Sequence, residues 1–110
     1  MAWKAQHRYA KMSARKVRLI VDMIRGQDVN KALAVLKFSP NRGAALVRKV
    51  LNSAIANADQ AEADVESLVV QAAYVDEAPT MKRFQEKDRG RAFPIRKRNS
   101  HITVVVEEAK

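Results

Sequence analysis

A chain of 110 residues with 21 Lys+Arg against 12 Asp+Glu, a formal net charge of +9 and no cysteine fits one domain able to bury a core, and excludes a disulfide framework or thiolate metal cluster. Its two histidines, His7 and His101, are too far apart for a metal motif, no apolar stretch of signal-peptide length opens the chain, and no run approaches the roughly 20 apolar residues that span a bilayer. The expectation is a cytoplasmic protein with no cofactor, no metal and no membrane contact, whose charge requires a polyanionic partner.

Residues 2–11 (AWKAQHRYAK) show no helical stripe and read as an extended segment that carries the cations Arg8 and Lys11. Ser13 stands as the N-cap of a first helix, in which Val17, Ile20, Val21 and Ile24 fall at i, i+3, i+4 and i+7 and line one face, with Gly26 as the stop. The opposite face carries Arg15, Lys16, Arg18 and Arg25, a pattern that by itself fits an ordinary solvated face as well as an RNA contact. Asp28 caps a second, short helix with the stripe Val29, Ala32, Leu33 and Leu36, which ends before Ser39-Pro40 because proline disfavours helix in the residue before it. A third helix, from about 41 to 60, keeps the spacing with Val47, Val50, Leu51, Ala54, Ile55 and Ala58.

Beyond Asp64 the pattern turns to β-branched residues in SLVVQAAYVDEAP, where Leu68, Val70, Ala72 and Tyr74 alternate with Val69, Gln71, Ala73 and Val75. The other clear strand is HITVVVEE, with Ile102, Val104 and Val106 on one face and Thr103, Val105 and Glu107 on the other. Between them residues 80–101 hold eight basic and two acidic residues, whereas residues 62–77 hold five acids and no base. Pro79 marks a bend out of the sheet and Asp88-Arg89-Gly90 a turn, so the intervening segment reads as a hairpin over about residues 79–101. Arms of about ten residues at about 3.3 Å each reach roughly 30 Å, beyond a body whose expected radius of gyration is about 13 Å, so the hairpin must project.

A polycationic projection without a core of its own is marginal in water and needs a surface to lie on. Lys82, Arg83, Lys87, Arg89, Arg91, Arg96, Lys97 and Arg98 are its candidate phosphate contacts, and Phe84 and Phe93 its candidates for stacking on bases. Charges on exposed strands also prevent edge pairing, but eight cations exceed that need. His101 has no carboxylate or nucleophile motif around it and is read as a structural or RNA-contacting residue; His7 is read in the same way. Asp76 and Glu77 alternate across a strand and cannot share a catalytic site, and Gly26, Gly43 and Gly90 form no phosphate-binding loop. No catalytic residue is assigned.

Four stretches, SARKVRLIVDMIRGQDVNKALAVL at 13–36, KVLNSAIANA at 49–58, VDEAPTMKRF at 75–84 and RGRAFPIRKRNSHITVVV at 89–106, together resemble the bacterial large-subunit ribosomal protein number twenty-two family. The resemblance implies an α+β fold, with three helices packed on a small antiparallel sheet and a long protruding β-hairpin, making up one domain over residues 1–110. It also implies a non-enzymatic structural constituent of the large ribosomal subunit that binds and organises 23S-type rRNA during assembly. The implied partners are that rRNA, neighbouring large-subunit proteins and the nascent polypeptide, with the hairpin tip lining the peptide exit tunnel.

By position, Ser13, Arg15, Lys16, Arg18 and Arg25 match the family's basic N-terminal helix, Met81, Lys82 and Arg83 its motif before the tip, and Gly90 and Arg91 its turn. The chain departs from the family at Ala78, often glycine there, at Glu86, commonly proline, and at Asp88, an added acid. The expected rRNA-binding set is thus Arg8, Lys11, Ser13, Arg15, Lys16, Arg18, Arg25, Lys82, Arg83, Phe84, Lys87, Arg89, Arg91, Arg96, Lys97, Arg98 and His101. The expected tunnel-lining tip is Gln85, Glu86, Lys87, Asp88, Arg89, Gly90 and Arg91. The competing reading is a free-standing architectural or regulatory nucleic-acid-binding protein whose basic helix enters a groove.

Overall fold

A computed structural model describes residues 2–40, 42–78, 81–87, 91–97 and 99–108, the strand residues 81–87 and 91–97 through their backbone. In chain order the elements are β1 (Ala2–Ala10), α1 (Ala14–Ile24), α2 (Val29–Phe38), α3 (Arg42–Gln60), a 3-10 turn (Val65–Ser67), β2 (Leu68–Glu77), β3 (Met81–Lys87), β4 (Arg91–Lys97) and β5 (Ser100–Glu108). β1, β5 and β2 form an antiparallel sheet in that order, and β3 pairs with β4 in a second one, from Met81↔Lys97 to Lys87↔Arg91. The fold is α+β, with three helices on a small antiparallel sheet and a long hairpin.

The helices cover one face of the three-stranded sheet because their apolar stripes leave them no alternative. Val17, Ile20, Val21 and Ile24 of α1, Val29, Ala32 and Leu36 of α2, and Val47, Leu51, Ala54 and Ala58 of α3 are all buried, as are Ile102, Val104 and Val106 of β5. Burial of a Val, Leu or Ile side chain stabilises by about 1.5–3 kcal/mol, so these stripes supply the main driving force for the body. Leu33 and Ile55 are only partly buried and pack at the margin of this core. α3 packs tightly on α1 at Gly43, where a Cβ would lie 2.6 Å from Ile20 Cδ1 and 3.2 Å from Met12 Sδ.

Helix boundaries fall where turn chemistry places them. Ser13 and Asp28 occupy the N-cap positions of α1 and α2, but neither side chain makes a capping hydrogen bond. Gly26 takes φ +80, a left-handed conformation that ends α1, and the turn it makes is fastened to β2: Gly26 N–H donates to Val70 O (3.0 Å) and Val70 N–H to Gln27 O (2.8 Å).

β2 departs from simple alternation. Its register against β5 shifts between Val70 and Ala72, so the inward residues are Leu68 and Val70 before the bulge and Ala73 and Val75 after it. The two alternating sets expected from the sequence are therefore spliced into one buried face, because an extra residue on one strand inverts the pleat parity. A second irregularity, between His7 and Ala10 of β1, places Tyr9 at φ 58.

The radius of gyration is 16.9 Å and the principal extents are 64 × 25 × 17 Å, against about 13 Å for the radius of a compact chain of this length. The elongation accords with an arm that leaves the body where Glu77 pairs with Ser100 and Ala78 N–H donates to Asn99 O (3.1 Å). The bend assigned to Pro79, the turn at Asp88-Arg89-Gly90 and the cation Arg98 lie outside the described residues.

Leu51→Ala should lower the unfolding free energy by about 2–5 kcal/mol, since Leu51 is fully enclosed. Leu19→Ala, at a position 70% exposed, should change it by no more than about 0.5 kcal/mol. Urea denaturation of both variants checks the assignment of the core face of α1 and α3.

Candidate nucleic-acid interface

The cations of the described body fall into groups with different physical roles. Arg18 and Arg25, both expected to contact RNA, stand seven residues apart on α1 and reach the outer edge of β2. Arg18 donates from Nε (3.2 Å) and Nη2 (3.0 Å) to Val75 O, and Arg25 from Nε (3.1 Å) and Nη2 (2.7 Å) to Ala73 O. Arg25 is also the cation of the one ion pair found among the described residues, Nη1 to Asp22 Oδ1 at 2.8 Å. Both guanidinium groups thus satisfy strand carbonyls that face no neighbouring strand, with their remaining N–H groups left for another acceptor.

A second group surrounds the start of α1. Lys11, Arg15 and Lys16 are exposed there, and the first turn contains no acid. Cations at a helix N-terminus oppose the helix dipole, whereas an anion is favoured there by the unpaired N–H groups. Because the Ser13 hydroxyl makes no capping bond, those groups and the three cations form an arrangement that an incoming phosphate would neutralise.

On the sheet face away from the helices, β1 presents Lys4, Gln6 and Arg8, all exposed, beside Thr103 and His101 of β5. His101 Nδ1 accepts a hydrogen bond from Tyr9 N–H (3.0 Å), and the Tyr9 and His101 rings meet edge-on with centroids 4.8 Å apart. The Arg8 guanidinium lies 5.7 Å from the Tyr9 ring centroid. His101 therefore both fixes the β1 bulge and stays partly exposed. Lys4 and Tyr74 share this face and were not singled out in the sequence; the two-residue spacing of Lys4, Gln6 and Arg8 is the signal that marks it.

The remaining expected site residues lie on the arm or its turn. Register sets Lys82 opposite Arg96 and Lys87 opposite Arg91, with Arg83, Phe84, Gln85 and Glu86 facing Ile95, Pro94, Phe93 and Ala92. Like charges directly opposite destabilise a strand pair unless a counter-charge intervenes. Lys97 ends the ladder opposite Met81, and Asp88, Arg89, Gly90 and Arg98 lie outside the described residues.

The acidic stretch does not form one surface. Glu62, Asp64 and Glu66 sit before β2, at the end of the sheet where Leu68 and Val69 pair with Glu108 and Glu107. Asp76 and Glu77 lie at the opposite end, at the root of the arm, opposite His101 and Ser100. Among the described residues, no three acidic or histidine side chains gather as a metal cluster, and no helix is long and apolar enough to cross a membrane.

A family model described as ribosomal protein L22p/L17e matches residues 5–107. The matched span takes in every helix, all of β2, β3 and β4, residues 5–10 of β1 and all but the last residue of β5.

Because Arg18 and Arg25 close the edge of β2, Arg18→Ala and Arg25→Ala should each lower stability by about 1–2 kcal/mol, measured by urea unfolding without RNA. Arg15→Ala and Lys16→Ala should stay within about 0.5 kcal/mol of the parent. The reverse ranking would mean that the guanidinium groups contribute nothing to the sheet.

Proposed function

The chain belongs to the ribosomal protein L22p/L17e family, whose members are rRNA-binding structural proteins of the large ribosomal subunit, and from that premise we propose that it organises 23S-type rRNA during assembly and lines the peptide exit tunnel with its hairpin tip. The observation that carries this reading is the β3–β4 register, in which Lys82 faces Arg96 and Lys87 faces Arg91. A ladder that opposes cations gains stability from an anion lying along it, and a phosphate backbone supplies a continuous one. Residues 1–110 act as one domain, the body as a footing and residues 79–101 as the inserted arm.

In this reading, rRNA is bound by Arg8, Lys11, Ser13, Arg15, Lys16 and His101 on the body and by Lys82, Arg83, Phe84, Lys87, Arg89, Arg91, Arg96, Lys97 and Arg98 on the arm. Arg18 and Arg25 add phosphate contacts through the N–H groups their strand carbonyls leave free. The tip, Gln85 to Arg91, faces the nascent polypeptide, and neighbouring large-subunit proteins complete the surroundings. A groove-reading role for α1 is less well supported, since two of its four basic-face cations are engaged at the β2 edge.

Binding of the free protein to large-subunit rRNA should fall steeply with salt. If six to eight phosphates are neutralised, the log-log slope should be about −4 to −7, and a nearly flat dependence would contradict phosphate anchoring. Along the arm, neutralising Arg96, Lys97 and Arg98 together should weaken RNA association and incorporation into the subunit. Shortening the tip should leave incorporation intact and change the passage of arrest peptides or of small molecules that bind the tunnel. Loss of incorporation on shortening the tip, with normal incorporation of the neutralised cluster, would make the tip the principal anchor instead.

A further inference from the structure

Resting on the rRNA-binding reading but assigning to it a surface of its own, we infer that the open face of the three-stranded sheet is a stacking site for unpaired RNA bases, centred on Tyr74 and rimmed by Arg8, Tyr9 and His101. The residues that alternate with the buried ones define this face: Lys4 and Gln6 of β1, His101, Thr103 and Val105 of β5, and Ala72, Tyr74 and Asp76 of β2. Among the described residues no helix packs on it, since the helices take the face of Ile102, Val104 and Val106.

Thr103 is nevertheless fully buried, covered by its cross-strand partners: Gln6 Nε2 donates to its Oγ1 (3.2 Å), and Tyr74 lies opposite. Tyr74 itself is 43% exposed, which puts an aromatic ring on the edge strand β2 of the uncovered face. Tyr9, 53% exposed, stands at the rim in a left-handed conformation that a bulky residue adopts only under constraint. The constraint is the Tyr9 N–H to His101 Nδ1 bond. A bulge of this kind re-aims a side chain, and here it aims an aromatic ring with Arg8 beside it.

The same bond fixes the chemistry of His101. With Nδ1 acting as acceptor, the proton of the neutral imidazole lies on Nε2, so the ring presents a donor to whatever approaches. Aromatic rings flanked by planar guanidinium and ring N–H donors match a nucleobase, which has two π faces and an acceptor-rich edge. Paired bases hide those faces in the stack, so the occupant is single-stranded. Asp76, opposite His101, repels phosphate on the β2 side, which directs the sugar-phosphate backbone along Lys4 and Arg8 of β1. In the chain β3 follows β2 and β5 follows β4, so the arm departs from the two strands that carry Tyr74 and His101.

The test uses the full chain with a short single-stranded RNA carrying 2-aminopurine and, as control, the same sequence as a duplex. Tyr74→Leu keeps an apolar cover over Thr103 and removes the ring. It should weaken single-strand binding roughly tenfold, at the scale of one stacked base, leave the salt slope unchanged and abolish quenching of the aminopurine. Tyr74→Phe should bind within about twofold of the parent. Photocrosslinks from 4-thiouridine RNA to the unmodified protein should fall on peptides containing Tyr9 or Tyr74, a readout independent of how Tyr74→Leu folds.

Parent-like binding and quenching by Tyr74→Leu, or crosslinks confined to residues 81–97, would overturn the inference. If the protein binds rRNA with a steep salt slope but shows no quenching with single strands, this inference falls and the ribosomal reading stands. If it binds neither, both fall.

Discussion

Strands β2 and β5 pair from Leu68↔Glu108 to Glu77↔Ser100, and that ladder carries both the core and the arm. β5 is the central strand, with Ile102, Val104 and Val106 fully enclosed between the helices and the sheet, so its register is specified by burial. A slip of one residue would turn those three side chains outward and Thr103 inward. The arm follows the same two strands in the chain but keeps a register of its own: Glu77↔Ser100 in the body is followed by Met81↔Lys97, one residue out of step with the body ladder.

An open three-stranded sheet has two edges, and both are occupied. On β2, Arg18 and Arg25 fill the Val75 and Ala73 carbonyls while the turn at Gly26 and Gln27 pairs with Val70. On β1, Asn57 Nδ2 donates to Lys4 O (3.1 Å). Free strand edges invite pairing with other chains, so these side chains act as stoppers. Arginine suits the task because a planar fork can place two N–H groups on one carbonyl, Nε and Nη2 here, which a lysine ammonium cannot reproduce. The basic face of α1 is thus divided: one row closes the sheet, and Arg15 and Lys16 stay exposed.

That division explains what the sequence could and could not reveal. The stripes of α1, α2 and α3 and the alternation of HITVVV are periodic over long spans, and each became the buried face that the period implies. The interior of β2 was not legible in the same way, because a bulge at Gln71 is a property of pairing with β5 and leaves no mark in one strand's composition. Arg18 and Arg25 were legible as cations but not as sheet ligands, since the carbonyls they reach lie 57 and 48 residues away in the chain. Ser13 and Asp28 were legible as helix starts from residue type, whereas the absence of a capping bond depends on a rotamer that composition does not encode. Tyr9 was the least accessible: nothing in AWKAQHRYAK announces a left-handed tyrosine, and its N–H bond is to a histidine 92 residues away.

Charge placement finally connects stability to the partner. The chain carries a net charge of +9, and among the described residues its cations share a single ion pair. Lys11, Arg15 and Lys16 crowd a helix end whose dipole disfavours them, and Lys82 and Arg96 oppose each other across a ladder. A phosphate lying between like charges in either arrangement would offset their repulsion. A ligand that binds only the folded form stabilises it in proportion to the logarithm of its concentration over Kd, so an RNA bound as proposed would both supply the missing counter-charge and deepen the native well. The acids divide between the two ends of the sheet, with Asp76 and Glu77 at the root of the arm. Glu62, Asp64, Glu66, Glu107 and Glu108 collect at the sheet end opposite the arm, an acidic end that a polyanion would avoid.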